Sequence, residues 1–446
     1  MIKKKGKQKY ILYLMRRQRK ILRARQRHKK KTFNSKGHCI PQEENFLGRD
    51  YISVINHLDH NNFAMPNFFP KKVETIHIPE IFSISENAEN VIKLLRKVYT
   101  IIRSQKTSEL IFDHTKCSNL GLSASTIMDI IVLAVCKYRE REDSVLSLEG
   151  LLPHNDTVRN ILLASGLPYH LHAEHGLSFD EKHVERFKTI KGQHDKYANK
   201  ADGTSTKLML YFNRCLKTQG MELNEEGKRL LSRILGEVIS NCEIHGGETA
   251  TWYTQGHYQM KDNNSFGEMQ ILFLTLGDTI YEGLLNNSSS ETNRKLQHIL
   301  NRQRKNMNSK WDKEMIFTVF ALQEGISRLR DENIEGYEGR GSGTVSMIEM
   351  FNDIGKCKNG LTPQMTIVSG KTLIKFTDKY KMEEKEFNCD IAFGTGVKRI
   401  IAFNHDNDIY SPPDANNVIK MSEYFPGTVI SLKFYLDNRY ITNKKN

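Results

Sequence analysis

The sequence predicts two α/β layer domains in series. Segments with apolar residues at helical spacing alternate with short apolar runs of strand length, and a polar stretch over 171–206 separates two such series. Of the 446 residues, 38% are hydrophobic and 26% charged, a composition that buries cores and excludes a mainly disordered chain. At roughly 150 residues per domain, the length allows about two or three domains.

The net charge of +14 is concentrated at one end. Between Met1 and Lys36 there are 16 Lys or Arg and no acid, so the remainder carries 50 bases against 52 acids. Residues 1–38 therefore read as a basic tail. Its charge suits a polyanion such as nucleic acid, held by counterion release through 1–36, and equally a tail that only solubilises. The seven cysteines contain no C-x-x-C pair, which suggests reduced thiols and a cytoplasmic location rather than a disulfide framework or zinc ribbon. The longest apolar run, Ile127–Val135, is nine residues and contains Asp129, far short of the ~20 that span a bilayer. No membrane association is expected, and no secretory signal is evident.

The first domain is expected over 71–170. Val73–Ile84 reads as short extended pieces broken at Pro79. Ala88–Ile102 carries Val91, Leu94, Leu95, Val98, Ile101 and Ile102 at helical spacing; Glu109–Asp113 is a short strand, and Ser123–Tyr138 a second helix. Leu151–Leu171 reads as a loop, a short helix and a glycine stop. This order, with a strand ending in Asp before a loop and an Ile- and Val-rich helix, resembles the anti-sigma-factor-antagonist (STAS-like) module. The resemblance implies a loop serine open to phosphorylation, and Ser118 and Ser123 stand nearby, but the family's Asp-Ser tract is absent and no phosphosite is assigned. His170, His172 and His175 invite a metal, yet no second ligand cluster stands at a recognised spacing.

The second domain is expected over 207–437, and its most informative segment is Leu223–Gly247. Leu230, Leu231, Ile234, Leu235, Val238, Ile239 and Ile244 form the apolar stripe of a long helix that ends at Gly246 and Gly247. Glu237, Asn241 and His245 follow one another at four-residue intervals on a second face. An amide oxygen ligates a hard cation, and a carboxylate one turn away can orient or deprotonate water, so the line suits a triphosphate and its magnesium; a polar helix face without a ligand has the same pattern. Downstream, Ile271–Leu285 is an apolar strand that stops at Gly277 before a new helix. Gly339–Thr344, GRGSGT, runs into a helical segment, Val345–Phe351, where backbone amides and a helix N-terminus favour an anion. Neither is a P-loop or a dinucleotide-binding glycine unit.

Together, E-x-x-x-N-x-x-x-H on a helix, L-x-L-G-x-x-I at a strand end, G-R-G-S-G-T and the late Gly427-Thr428 resemble the GHKL ATPase superfamily over about 207–437. That superfamily includes gyrase subunits, mismatch-repair and heat-shock chaperone ATPases, sensor histidine kinases and anti-sigma-factor serine kinases. The resemblance implies a Bergerat-type ATP-binding fold with helices on one face of a mixed sheet, and ATP with Mg2+ as its ligands. Asn241 would be the Mg-ATP ligand and Glu237 the catalytic base or water-orienting group. His245 would match the position after them in the kinase-like branch. Arg340, Gly341, Ser342, Gly343 and Thr344 would hold phosphates beneath a lid drawn from 286–338, with one helix over Glu314–Arg330. Thr275, Gly277 and Thr428 would lie at the adenine.

One departure alters the chemistry. The family's first glycine box is D-x-G-x-G-[IV], and here Thr275 stands in the Asp position and Thr279 in that of the second glycine. A neutral hydroxyl is a weaker acceptor for the adenine amino group than a carboxylate, and Asp278 is not expected to replace it. No heptad-spaced dimerisation helix precedes this domain, which argues against a two-component sensor. The expected function is therefore an ATP-binding regulatory protein, with slow hydrolysis or phosphoryl transfer if it turns over and a protein partner as one target. The alternatives are a catalytically inactive polyanion-binding protein on a degenerate GHKL scaffold, and a serine protein kinase acting on a STAS-like domain.

Overall fold

Strand alternation and helical periodicity account for most of the elements in the computed structural model, which describes residues 9–11, 50–144, 146–171, 184–195, 200–261, 266–287, 289–326, 343–353 and 360–438. The chain forms two units, Met1–Lys182 and His183–Asn446, and both are mixed α/β.

The first unit has the order β1 (Lys9–Ile11), α1 (Tyr51–His60), β2 (Val73–His77), β3 (Ile81–Phe82), α2 (Ile84–Arg103), β4 (Glu109–Asp113) and β5 (Asn119–Leu120). It continues with α3 (Leu122–Arg141), β6 (Ser147–Leu151), α4 (Asp156–Ser165) and α5 (Leu167–His170). Strands β2, β4 and β6 are parallel and β1 joins β6 antiparallel, in the order β1-β6-β4-β2. Parallel neighbours need crossovers, and α2 and α3 lie in those connections. Leu110 and Phe112 alternate into the core, where α2 buries Val91, Ile92, Leu95, Val98 and Ile102. The unit begins earlier than expected, because α1 also buries Val54, Ile55 and Leu58, and its Asp59 pairs with Arg103 at 3.0 Å. Buried Arg139 donates to Ile102 O and Thr107 O, satisfying carbonyls at and beyond the end of α2.

The second unit contains β7 (Val184–Gln193), α6 (Ala201–Lys217), α7 (Glu225–His245), β8 (Thr251–Lys261), β9 (Phe266–Leu276), α8 (Ile280–Asn287) and α9 (Ser290–Gln303). After these come α10 (Lys313–Phe320), α11 (Gly343–Asp353), β10 (Gln364–Phe376), β11 (Glu383–Asp390), β12 (Gly394–Ile400) and β13 (Val418–Leu436). Its main sheet runs β10-β13-β9-β8-β7. Every described pairing in it is antiparallel, which corrects the expected mixed sheet: β8 and β9 form a hairpin, and β13 lies antiparallel to both β9 and β10.

The segment 171–206 is also not a linker throughout. Val184–Gln193 is edge strand β7, and α6 begins at Ala201. The tail 1–38, apart from 9–11, and His172 and His175 lie outside the described residues. The interval 286–338 holds more helix than expected: α9 buries Leu296 and Ile299, and the following helix stops at Phe320 rather than continuing to residue 330. Residues 327–338 lie outside the described residues.

One face of the five-stranded sheet carries Trp252, Met269, Ile271, Phe273, Met365, Ile367, Leu432 and Phe434. These residues share a core with α6, α7, α10 and α11. Helix α7 supplies Leu231, Ile234, Leu235, Val238 and Ile239, whereas Leu230 is 48% exposed and stands off the stripe. Among the described residues no helix is long and apolar enough to cross a membrane.

Candidate functional site

The candidate site lies where the end of α7 meets the end of β9. Asn224 caps α7, its Oδ1 accepting from Gly227 N at 2.7 Å, and Glu225 and Glu226 follow in the first turn, where the helix dipole favours acids. At the other end the helix stops at Gly246, and Gly247 adopts a φ of +87°, the left-handed closure typical of glycine after a helix. The junction is backbone on backbone. Asp278 N donates to Gly246 O at 2.7 Å, and a Cβ on Gly277 would stand 2.1 Å from the same oxygen. Gly277 is therefore required here by contact rather than by a turn. The carboxylate of Asp278 lies over Gly247, 3.1 Å from where a Cβ would be.

Glu237 and Asn241 both lie half-buried on α7. Four-residue spacing places them on one face, one turn apart. His245 is the last residue of that helix; its side chain, like Arg340, Gly341 and Ser342, lies outside the described residues. Gly343 begins α11, with Thr344 half-buried in its first turn, and α11 packs on α7.

Across the sheet from this junction runs a row of cross-strand partners. Trp252 pairs with Thr275, Thr275 with Thr428, and Thr428 with Ser369. Direct partners share a face, so Thr275 and Thr428, separated by more than 150 positions in the chain, stand side by side. Gly427, at φ +135°, permits the approach, since a Cβ there would come within 2.1 Å of Thr275 O. Cys242 of α7 lies beside Thr275, and burial pushes its thiol up to about 11, so it is uncharged at neutral pH. The hydroxyls of Ser369 and Thr428 lie 2.9 Å apart, and Ser369 Oγ accepts from Ile280 N at 2.9 Å.

Thr279 has its own local explanation. It caps α8 in a reciprocal box: its Oγ1 accepts from Glu282 N at 3.1 Å, and Glu282 Oε2 accepts from Thr279 N at 2.9 Å. Tyr424 donates to the other oxygen of Glu282 at 2.9 Å.

Several residues near the site carried no sequence signal. Glu243 is 1% exposed, facing the Trp252 indole and the backbone of Lys200 and Ala201 at the start of α6. Burial raises its carboxyl, helped by Asp195. Glu314 accepts from Lys371 N at 2.5 Å beside Gly370, whose φ is +61°, and burial raises its carboxyl too. Arg399 of β12 donates to Glu324 Oε1 at 3.1 Å and to Glu349 Oε2 of α11 at 2.9 Å. Arg399 thereby holds the chain on both sides of residues 327–342, and it keeps the Glu324 carboxyl below the usual range.

Among the described residues no group of three or more His, Cys, Asp or Glu is placed to hold a metal. His170 instead sits 3.8 Å from buried Asp129. No family model, curated protein or solved structure matches the chain.

Proposed function

We propose that the second unit is a GHKL-type nucleotide-binding module, taking a magnesium-chelated nucleoside triphosphate, ATP on the resemblance, between α7, the end of β9 and the middle of β13. The observation that carries this reading is the juxtaposition of Thr275 and Thr428 beside the glycine-closed end of the helix bearing Glu237 and Asn241. Three separate sequence features thus belong to one locality.

The donor set fits the metal. Asn241 and Glu237 offer neutral and anionic oxygens from half-buried positions, the chemistry a hard cation takes while keeping several waters. Asn241 and Glu237 would hold the magnesium, which would supply charge neutralisation at the phosphates. Glu237 would orient or deprotonate water, and the first turn of α11 would offer backbone amides to a phosphate. On this reading the protein is regulatory, with nucleotide occupancy changing contacts to a partner. The first unit, with parallel β2, β4 and β6 and helical crossovers, supports a STAS-like module. Residues 1–36 supply a polycationic arm for nucleic acid or another polyanion.

Calorimetry with Mg-ATP tests the site: the parent binds and Asn241→Ala does not. No binding to the parent at millimolar nucleotide would support the second reading, a degenerate scaffold whose working part is the basic arm. Thr275 and Thr279, standing where the family has Asp and Gly, favour that alternative. A serine kinase acting on the first unit predicts ATP-dependent phosphate incorporation that Glu237→Ala abolishes.

A further inference from the structure

We propose, resting on the reading that this cleft binds a nucleotide, that its base end selects a purine with a 6-oxo group, guanine or hypoxanthine, over adenine. The direction of the hydroxyl chain at that end carries the inference. Ile280 N, an amide at the start of α8 without an intrahelical acceptor, can only donate, and it donates to Ser369 Oγ at 2.9 Å. Ser369 is 1% exposed, and among the described residues its only other hydrogen-bond partner is Thr428 Oγ1 at 2.9 Å.

Were Thr428 the donor, the Ser369 proton would be buried without an acceptor, which is costly. Polarity therefore runs from Ile280 through Ser369 to Thr428. That leaves the proton of Thr428, a half-buried residue, to be presented outward. Thr275, its direct neighbour, is a neutral hydroxyl and supplies no carboxylate. The nearby carboxylate, Asp278, lies instead over Gly247. A ligand base thus meets a hydroxyl donor with no carboxylate beside it. The exocyclic amino group of adenine, itself a donor, is left only the second lone pair of Thr428 and forfeits its proton, whereas a 6-oxo oxygen accepts that proton directly.

The test is calorimetry of the full chain with Mg-ATP, Mg-GTP and Mg-ITP. GTP and ITP are expected to bind about tenfold tighter than ATP, the factor for one well-placed neutral hydrogen bond. Thr428→Val, close to isosteric, should abolish that preference by weakening GTP and ITP. Ser369→Ala frees the Thr428 hydroxyl to turn and should bring the ratio toward one. Thr275→Asp should tilt it toward ATP by restoring an acceptor. ATP binding as tightly as GTP in the parent, or a GTP-to-ATP ratio unmoved by both Thr428→Val and Ser369→Ala, overturns the base assignment while leaving the nucleotide site intact. Failure of all three nucleotides to bind overturns the site itself.

Discussion

Replacing Gly277 by alanine probes the junction on which the site depends. The added Cβ would lie 2.1 Å from Gly246 O and 2.6 Å from the Ala250 Cβ, whereas ordinary contact begins at 3.4 Å. The end of α7 must then retreat from β9 by roughly 1 Å, and overpacking of this kind costs about 1–3 kcal/mol. Retreat also stretches the bond from Asp278 N to Gly246 O, now 2.7 Å, which contributes about 1 kcal/mol. The sum is on the order of 2–4 kcal/mol, or a fall in melting temperature of about 5–10 °C for a unit of this size. Scanning calorimetry reads the fall. Nucleotide titration should show a parallel loss of affinity, because Asn241 rides on the displaced end of the helix. Gly203→Ala is the control: this position in α6 has nothing within 4 Å of a Cβ, so the same change should stabilise by about 0.5–1 kcal/mol. If Gly277→Ala melts within about 1 °C of the parent, the contact argument is wrong.

Two further perturbations test separate parts of the molecule. Thr279→Ala removes the reciprocal cap of α8 and should cost about 1 kcal/mol in chemical denaturation, while Thr279→Ser should retain most of it; equal stability of the two variants would contradict the capping role. Burial holds the His114 imidazole down to about 4, so it stays neutral in the folded chain while the unfolded chain binds a proton near pH 6.5. Stability from this group is full above pH 6.5 and is lost as pH falls toward 4, on the order of 3 kcal/mol in total. Melting curves between pH 7 and 4 should steepen for the parent and flatten for His114→Phe, and parallel curves would refute the assignment.

Legibility in the sequence followed the strength of the local pattern. Helices α2, α3 and α7 and strands β4 and β9 declared themselves by apolar spacing. Strand β7 did not: as an edge it buries only Phe187 and Gly192 and carries Glu185, Arg186, Lys188 and Lys191, the charges that protect exposed edges and mimic a linker. Gly192 in this strand is required because the ring of Trp252 fills the space of a Cβ. Helix α9 was hidden by its polar composition. At the site, the helix face with Glu237 and Asn241 and the Gly427-Thr428 pair were visible. The neighbour that completes the row, Ser369, was not, because strand pairing over long sequence separations leaves no local trace. Thr279 read as a lost glycine, whereas the three-residue spacing to Glu282 was already the signature of a cap.

The small hairpin of β11 and β12 could pass for a dispensable ornament, with Val397 56% exposed on it. Yet one guanidinium on this hairpin neutralises an acid just upstream of the interval 327–342 and another just downstream. Shortening the hairpin would strand two carboxylates at once and release the separation between the anchor points of the glycine run. A small two-stranded hairpin is therefore a fastening for the phosphate end of the proposed cleft, and a minimal version of this unit that trims it would lose more than surface.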